Sequence, residues 1–301
     1  MTVPTFDGSG PVVLDGGLAT ELEARGHDLS DELWSARLLA DAPEEIVAAH
    51  LAFFEAGAQV ATTASYQASY AGFAARGIDR DDAVRLLHRS VRLARAARDR
   101  APGDGRPRWV AASVGPYGAT LADGAEYRGR YGLTVPELIA FHRPRLEALV
   151  DAGPDVLALE TVPDVDEAIA MVAALDGADV LAWLSYTVSG GRTRAGQPLG
   201  EAFSVAAGDD RVIAVGVNCC APDEAASAVA LAREVTGKPV IVYPNSGEGW
   251  DATRRDWAGE SRFDPAQGES WVAAGARFVG GCCRVRPADI AALSRAVRGH
   301  D

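Results

Sequence analysis

The chain has 301 residues, of which 42 are acidic and 29 basic, and its formal net charge is −13 at pH 7. Hydrophobic residues make up 48 % of it, enough for a sizeable core in one large α/β domain or two small ones. The acidic balance, with no basic run to offset it, argues against a surface that binds nucleic acid or anionic membrane.

The N-terminal residues do not have the pattern of a signal peptide. Residues 1–7 show no basic stretch followed by an apolar run, and no apolar run approaches the ~18 residues that cross a bilayer. We therefore expect a soluble, cytoplasmic protein. In a reducing compartment, its four cysteines indicate metal binding or catalysis rather than disulfides.

The apolar pattern predicts eight strands, each followed by a helical segment. The predicted strands are 12–14, 60–63, 109–114, 156–159, 180–184, 212–217, 239–243 and 277–279, and the clearest helices are 43–56, 80–100, 134–152, 165–175, 222–235 and 287–297. Strands that are apolar throughout are covered on both faces, as in a parallel sheet. We predict one (β/α)8 TIM barrel, an α/β fold, over residues 1–301. An open doubly wound sheet is less favoured, because no GxGxxG motif follows the first strand.

Two connections depart from this regular pattern. Residues 115–132 form a long loop rich in glycine and tyrosine, and residues 189–198 form a second polar loop. Long loops without a periodicity of their own are commonly functional.

Polar residues follow several predicted strands, where a barrel places its active site. They are Asp15, Thr63, Ser65, Glu160, Thr161, Asn218, Cys219, Asn245, Cys282 and Cys283. A Schiff-base lyase or aldolase would need a lysine at this end. The only lysine, Lys238, precedes the seventh strand, so that chemistry is disfavoured.

The cysteines occur as two adjacent pairs at the ends of the sixth and eighth strands. Consecutive residues of an extended strand point to opposite faces, so Cys219 and Cys220 do not both face the barrel mouth. Before Cys282 and Cys283, two glycines allow a sharp turn, so both of these thiols can face it. Three thiolates with one open position are typical of a catalytic zinc, and four closed ligands of a structural zinc.

An open zinc position favours thiol chemistry. A free thiol has a pKa of ~8.5 and is mostly protonated at neutral pH, whereas a metal-bound thiol is deprotonated. The thiolate is the nucleophile, so a substrate thiol held in this way would attack an electrophilic carbon.

Three motifs together resemble the homocysteine S-methyltransferases. They are Asp15-Gly16-Gly17 with Thr20-Glu21-Leu22, Gly216-Val217-Asn218-Cys219, and Gly280-Gly281-Cys282-Cys283. The resemblance spans nearly the whole chain and implies a (β/α)8 barrel that methylates L-homocysteine to methionine, a step of methionine biosynthesis. It also implies that Cys219, Cys282 and Cys283 bind Zn²⁺ at the ends of strands six and eight, and that Cys220 is not a ligand.

Residues 113–118 and 122–127 look like the branch of the family that uses S-methylmethionine, with S-adenosylmethionine as a lesser donor. The chain has no room for the cofactor domains of the corrinoid-linked enzymes. Trp34, Tyr117 and Tyr127 offer aromatic faces to a sulfonium. Two alternatives stay open, namely betaine or another sulfonium or ammonium donor, and a zinc-stabilised barrel that binds thiols without catalysis.

The substrate contacts that we predict are Asp15, Gly16, Thr63, Ser65, Glu160 and Asn218. Asp15 and Glu160 are candidates for binding the ammonium group of homocysteine by charge-assisted hydrogen bonds. Thr63, Ser65 or nearby backbone N–H groups are candidates for its carboxylate. We expect Asn218 to orient the cysteine that follows it.

Overall fold

The computed structural model describes residues 10–29, 35–251 and 256–299. Its main sheet consists of β1 Val12–Val13, β2 Val60–Thr62, β3 Trp109–Val114, β4 Val156–Val162, β5 Ala182–Tyr186, β6 Val212–Asn218, β7 Val240–Tyr243 and β8 Ala276–Val279. All neighbouring strands are parallel. The first and last strands pair, and a parallel bridge between Leu14 and Val60 joins β1 to β2. The ring is the predicted (β/α)8 barrel.

The helices surround this barrel. They are α1 Leu18–Ala24, α2 Ser35–Asp41, α3 Pro43–Glu55, α4 Tyr70–Ala74, α5 Arg80–Arg100, α6 Val135–Asp151, α7 Val165–Ala174, α8 Leu199–Ser204, α9 Ala225–Thr236, α10 Gln267–Ala274 and α11 Pro287–Arg298. Local signals set their ends: the Asp79 side chain caps α5, and Gly237 ends α9 in the left-handed conformation. Within the described ranges, no helix is long and apolar enough to cross a membrane.

The strand side chains form two separate apolar layers. Trp109 and Ala111 of β3 belong to a cluster made mainly of strand residues, which fills the barrel interior. Val110, Ala112 and Val114 of the same strand pack in the larger cluster between the sheet and the helices. Burial on both faces explains why the strands read as continuous apolar runs.

Three connections contain more structure than their sequences indicate. The loop 115–132 holds two short 3-10 turns, Tyr117–Leu121 and Ala125–Tyr127. A small hairpin pairs Val188–Ser189 with Arg192–Thr193, and another pairs Gly249–Asp251 with Asp256–Ala258. β5 lies two residues later than the predicted 180–184, because its ladder with β6 continues to Tyr186.

Candidate active site

Three of the four cysteines converge at the C-terminal end of the barrel. Cys219 directly follows β6, and Cys282 and Cys283 lie just beyond β8. Their Sγ atoms all lie within 4.8 Å of one another. Metal–sulfur bonds of ~2.3 Å in a tetrahedral site place sulfurs ~3.8 Å apart, so small side-chain shifts bring the three sulfurs onto one ion. The set therefore fits a metal ion and leaves a fourth position for another ligand.

Residues at the end of β7, which lies between β6 and β8, hydrogen-bond to Cys219 on one side and to Cys283 on the other. The Cys219 N–H donates to the Tyr243 carbonyl at 3.2 Å, and the Cys283 N–H donates to Asn245 Oδ1 at 3.1 Å. Cys219 itself has a φ of 48°, in the left-handed region. This turn, unusual for a residue other than glycine, takes its side chain out of the alternation of the strand.

The two glycines before Cys282 act differently from the prediction. Neither Gly280 nor Gly281 has a positive φ. A Cβ on Gly280 would lie 2.6 Å from Leu14 Cβ, and a Cβ on Gly281 would lie 2.2 Å from Val285 Cγ1. The thiols of Cys282 and Cys283 do converge, but the two glycines do not use the left-handed conformation that glycine allows. The glycines permit close packing of the chain, and this packing brings Cys282 to the mouth.

Cys220 is separate from the other three cysteines. It is buried in the apolar layer between the sheet and the helices, and burial raises the pKa of its thiol. The group of three sulfurs does not include it. A buried, uncharged thiol behaves as a small apolar side chain, so the geometry does not fit a closed site with four cysteines.

Hydrogen bonds among the three thiols shift their pKa values in opposite directions. Cys219 and Cys282 hydrogen-bond to the Cys283 sulfur, which lowers the Cys283 pKa well below its usual value. The hydrogen bond between Cys282 and Cys219, followed by the one to Cys283 and by burial, raises the pKa of Cys282. The described residues that line the cavity include no lysine, arginine or histidine. A bound cation would therefore supply the missing positive charge for more than one thiolate.

The cavity beside the cysteines measures about 110 Å³ and contains two of the predicted carboxylates. Asp15 follows β1, and its two oxygens accept from the Thr62 N–H at 2.7 Å and the Thr62 hydroxyl at 3.0 Å. Glu160 lies in β4 and accepts from the Ser113 and Tyr243 hydroxyls, the latter at 3.0 Å. Burial raises the pKa of Asp15 to about 8 and that of Glu160 to about 7.

Thr63 and Gly16 also line this cavity, whereas Ser65 does not. The Thr63 and Ser65 hydroxyls lie 2.7 Å apart, and Ser65 donates to the Ser113 carbonyl at 2.8 Å. Ser65 therefore supports Thr63 from behind the cavity wall. A Cβ on Gly16 would lie 2.4 Å from the Val285 carbonyl oxygen, so only glycine fits there.

Asn218 lies behind the cavity wall and contacts β4 and β5. Its Oδ1 accepts from the Thr161 N–H at 2.7 Å and the Ser185 hydroxyl at 2.8 Å, and its Nδ2 donates to Thr161 Oγ1 at 2.7 Å. The β4–β5 register is irregular between Leu159 and Val162. Asn218 thus holds an irregular strand end that carries Glu160, in addition to preceding Cys219.

Several cavity residues were not predicted as contacts, among them Thr62, Tyr66, Ser113 and Tyr243. Tyr243 is the last residue of β7, so its place at a strand end was a usable signal. It also accepts from Trp183 Nε1 at 3.1 Å and lies 2.7 Å from the Ser185 hydroxyl. Tyr66 lies in a turn beyond β2, and no local pattern distinguishes it.

The long loop 115–132 covers the mouth and brings Glu126 and Tyr127 into the cavity. Of the two predicted aromatic faces that the structure describes, Tyr127 lines it and Tyr117 does not. The guanidinium of Arg194 lies 5.4 Å from the Tyr127 ring centroid. Tyr117 instead packs on Tyr131 at a centroid distance of 5.3 Å. Trp34 lies outside the described residues.

The sequence and the fold of this chain match known proteins. The family model described as homocysteine S-methyltransferase matches residues 12–297. Two relatives are each 47 % identical: homocysteine S-methyltransferase of Escherichia coli, with 94 % of both chains aligned, and homocysteine S-methyltransferase 4 of Zea mays, with 97 % of this chain and 91 % of that one. The crystal structure of the homocysteine methyltransferase MmuM from Escherichia coli in its metallated form superposes with a TM-score of 0.86, at 45 % identity over 96 % of each chain. This chain belongs to the homocysteine S-methyltransferase family.

Proposed function

We propose that this protein transfers a methyl group from S-methylmethionine, or from S-adenosylmethionine, to the thiol of L-homocysteine and so forms methionine. We also propose that residues 1–301 work as one domain. The single observation that carries the proposal is the convergence of three thiols and several carboxylates in a cavity whose described lining has no basic side chain. Membership of the family supports the same activity.

Zinc is the metal that we propose for Cys219, Cys282 and Cys283. Soft thiolate ligands in a tetrahedral arrangement favour zinc over magnesium, calcium or manganese. When bound, zinc would keep the sulfur of the substrate deprotonated at neutral pH.

The carboxylates would bind the ammonium group of homocysteine. Thr62 orients the Asp15 carboxylate, and Ser113 and Tyr243 orient that of Glu160. Their raised pKa values fall when a positive group approaches, so binding of the ammonium favours the charged form. Nearby backbone N–H groups would bind the substrate carboxylate, because the Thr63 hydroxyl already donates to Ser65 and accepts from the Ser113 N–H.

Methyl transfer is then an in-line displacement. The sulfur of homocysteine forms a bond to the methyl carbon while the bond from that carbon to the sulfonium sulfur breaks. The bonding pair stays on the donor sulfur, which leaves as a neutral thioether, and the thiol proton has already been released to solvent. No general acid is needed. The task of the protein is to align the two sulfurs on opposite sides of the methyl group.

Three donors tested side by side separate this proposal from its alternatives. Purified protein, kept reduced, is assayed for bound zinc and for methionine formed from homocysteine with S-methylmethionine, S-adenosylmethionine or betaine. We expect about one zinc per chain, with S-methylmethionine the best donor and betaine inactive. Preferential use of betaine would instead support the betaine alternative. Bound zinc with no methionine from any donor would indicate a barrel that binds thiols without catalysis.

A further inference from the structure

The cavity contains a third carboxylate that homocysteine does not need. Glu126 lies in the 3-10 turn Ala125–Tyr127, on the loop that covers the mouth, and it is only 5 % exposed. Homocysteine carries one ammonium group, for which Asp15 and Glu160 are already placed. The additional negative charge on the loop side therefore faces the part of the cavity left for the second substrate.

Glu126 also differs from the other two carboxylates in its contacts. Each oxygen of Asp15 and Glu160 accepts at least one hydrogen bond. Glu126 Oε2 is buried and has no hydrogen-bond partner among the described residues. Burying a carboxylate oxygen without a hydrogen-bond donor costs free energy. A ligand that brings an N–H donor or a positive charge would remove this cost.

A second unpartnered acceptor lies in the same part of the cavity. Gln67 is 4 % exposed and donates from Nε2 to the Ala119 carbonyl at 2.9 Å, while its Oε1 has no partner among the described residues. A Cβ on Gly118 would lie 2.6 Å from the Glu126 N. The Gln67 side chain and the Glu126 backbone therefore both lie against the turn around residues 118–119. Two free acceptor oxygens, one of them charged, match a ligand that has several N–H donors and a positive charge.

Among the residues that the structure describes, no basic side chain hydrogen-bonds to Glu126 Oε2. Arg128 is 64 % exposed in its side chain, and its Nη2 lies 3.6 Å from Asp123 Oδ2. The guanidinium of Arg194 lies over the Tyr127 ring. The partner of Glu126 is therefore expected to come from the substrate.

A sulfonium donor of the amino-acid type offers two positive groups, and the chemistry favours one of them as this partner. The sulfonium charge disappears as the methyl group moves, so a carboxylate held against it would stabilise the ground state more than the transition state. The ammonium group keeps its charge throughout the reaction, and it has the N–H donors that the two acceptors lack.

We propose that Glu126, together with Gln67, binds the α-ammonium group of the methyl donor and so selects donors that have an amino-acid end. This inference rests on the proposed function. It gives the loop 115–132 the role of recognising the donor, while the strand ends recognise the acceptor.

Glu126→Gln tests the inference, with Asp123→Asn as the control that removes a charge from the exposed part of the same loop. We expect Glu126→Gln to raise the KM for S-methylmethionine by about tenfold or more, the loss expected for a charge-assisted hydrogen bond. The KM for homocysteine, the zinc content and the thermal unfolding temperature should stay as in the wild type. Calorimetric titration with S-methylmethionine should show the same weakening without turnover.

A comparison of ligands identifies the group that Glu126 contacts. Dimethylsulfoniopropionate has the same dimethylsulfonium group and a carboxylate but no ammonium, and its affinity is measured as a competitor of S-methylmethionine. We expect wild-type protein to bind it at least about tenfold more weakly than S-methylmethionine, and Glu126→Gln to narrow that difference. An equal loss for both ligands would place the sulfonium at Glu126 and overturn the inference.

Other outcomes are equally decisive. An unchanged KM for S-methylmethionine, or a rise confined to homocysteine, would overturn the role of Glu126 while leaving methyl transfer intact. Wild-type protein that forms no methionine would reject the proposed function itself. If Glu126→Gln does not fold, Gln67→Leu tests the inference in its place. Its KM for S-methylmethionine should rise severalfold, while its KM for homocysteine stays unchanged. An unchanged KM for S-methylmethionine would overturn the inference.

Discussion

Asn218 and Thr161 exchange two hydrogen bonds of 2.7 Å each, one to the backbone N–H of Thr161 and one to its hydroxyl. Thr161 has a φ of 58°, which is rare for a β-branched residue and costs roughly 1–3 kcal/mol. The amide of Asn218 offsets this strain. It thereby fixes the direction of the adjacent Glu160, which points into the cavity.

We expect Asn218→Ala to lower the free energy of unfolding by about 2–4 kcal/mol. The substitution leaves the Thr161 N–H and the Ser185 hydroxyl without the acceptor they now share, and it leaves the strain of Thr161 uncompensated. Urea unfolding measures the change. Thr161→Gly in the same background should recover part of the loss, because glycine adopts this conformation without strain. Strictly additive losses in the double variant would contradict a role for Asn218 in holding Thr161.

The two kinds of cysteine should respond differently to substitution. Cys220→Ala, which removes a thiol from the apolar layer, should leave the bound metal and the methyl transfer activity close to those of the wild type. Cys282→Ala removes one of the three converging sulfurs and should reduce the zinc content to a small fraction of one per chain. Elemental analysis measures the zinc content of both purified variants, and methionine formation from homocysteine measures the activity of Cys220→Ala. Loss of metal from Cys220→Ala would favour a site closed by four cysteines.

Glu160→Gln should stabilise the metal-free protein, and more at high pH than at low pH. Folding raises the pKa of Glu160 from 4.5 to about 7, so the folded chain keeps a proton that the unfolded chain loses in this window, and stability falls as pH rises through it. A neutral glutamine avoids this loss. It also keeps both contacts, because its amide accepts from Ser113 and donates to Tyr243.

The expected gain in the free energy of unfolding is about 1–3 kcal/mol at pH 8 and close to zero at pH 5. Urea unfolding with a chelator and a reductant present measures it at both pH values. The KM for homocysteine should rise in the same variant, since the ammonium loses a charged partner. A stability change that is the same at both pH values would contradict this account.

Glu167 of α7 anchors the loop that carries Glu126. Its Oε1 accepts from the Tyr117 N–H at 2.5 Å and lies 2.9 Å from His142 Nε2, and all of this carboxylate is buried. Burial lowers the pKa of His142, so the ring is neutral and donates to Glu167. Arg145, next to this pair, donates to the Gly115 carbonyl.

We expect Glu167→Ala to speed the hydrogen exchange of amides 117–131 by tenfold or more, because the loop loses about 1–3 kcal/mol of local stabilisation. The KM for the donor should rise while the zinc content stays unchanged. Asp166→Ala, which alters an exposed neighbour on the same helix, is the control. Unchanged exchange in 117–131 would show that the loop is held from elsewhere.

The sequence was sufficient for the fold and for the grouping of the cysteines. Unbroken apolar strands between amphipathic helices indicated the barrel, and the structure confirms it. Cys219 and Cys220 lie in different surroundings, although the left-handed φ of Cys219, and not plain strand alternation, sets the direction of its side chain. The inference of the barrel rests on local periodicity, which a single sequence displays directly.

The remaining features depend on how distant strands align. The contact of Tyr243 with Glu160 joins residues of β4 and β7, and the Asn218–Thr161 pair requires the irregular register between β4 and β5. The glycines before Cys282 are needed because of Leu14 and Val285, which no nearby residue reveals. Propensity and spacing carry no information on such contacts, because tertiary packing determines them.

The Asp15 carboxylate also has a place in the closure of the ring. β1 and β2 are joined by the bridge between Leu14 and Val60, and the next backbone donor along β2, that of Thr62, is met by the Asp15 side chain instead of a carbonyl. The Asp15 carboxylate, which we propose binds the ammonium group of homocysteine, thus also joins β1 to β2. Binding of the substrate and closure of the barrel between β1 and β2 would then be coupled. In the protein without substrate, local opening should begin between these two strands.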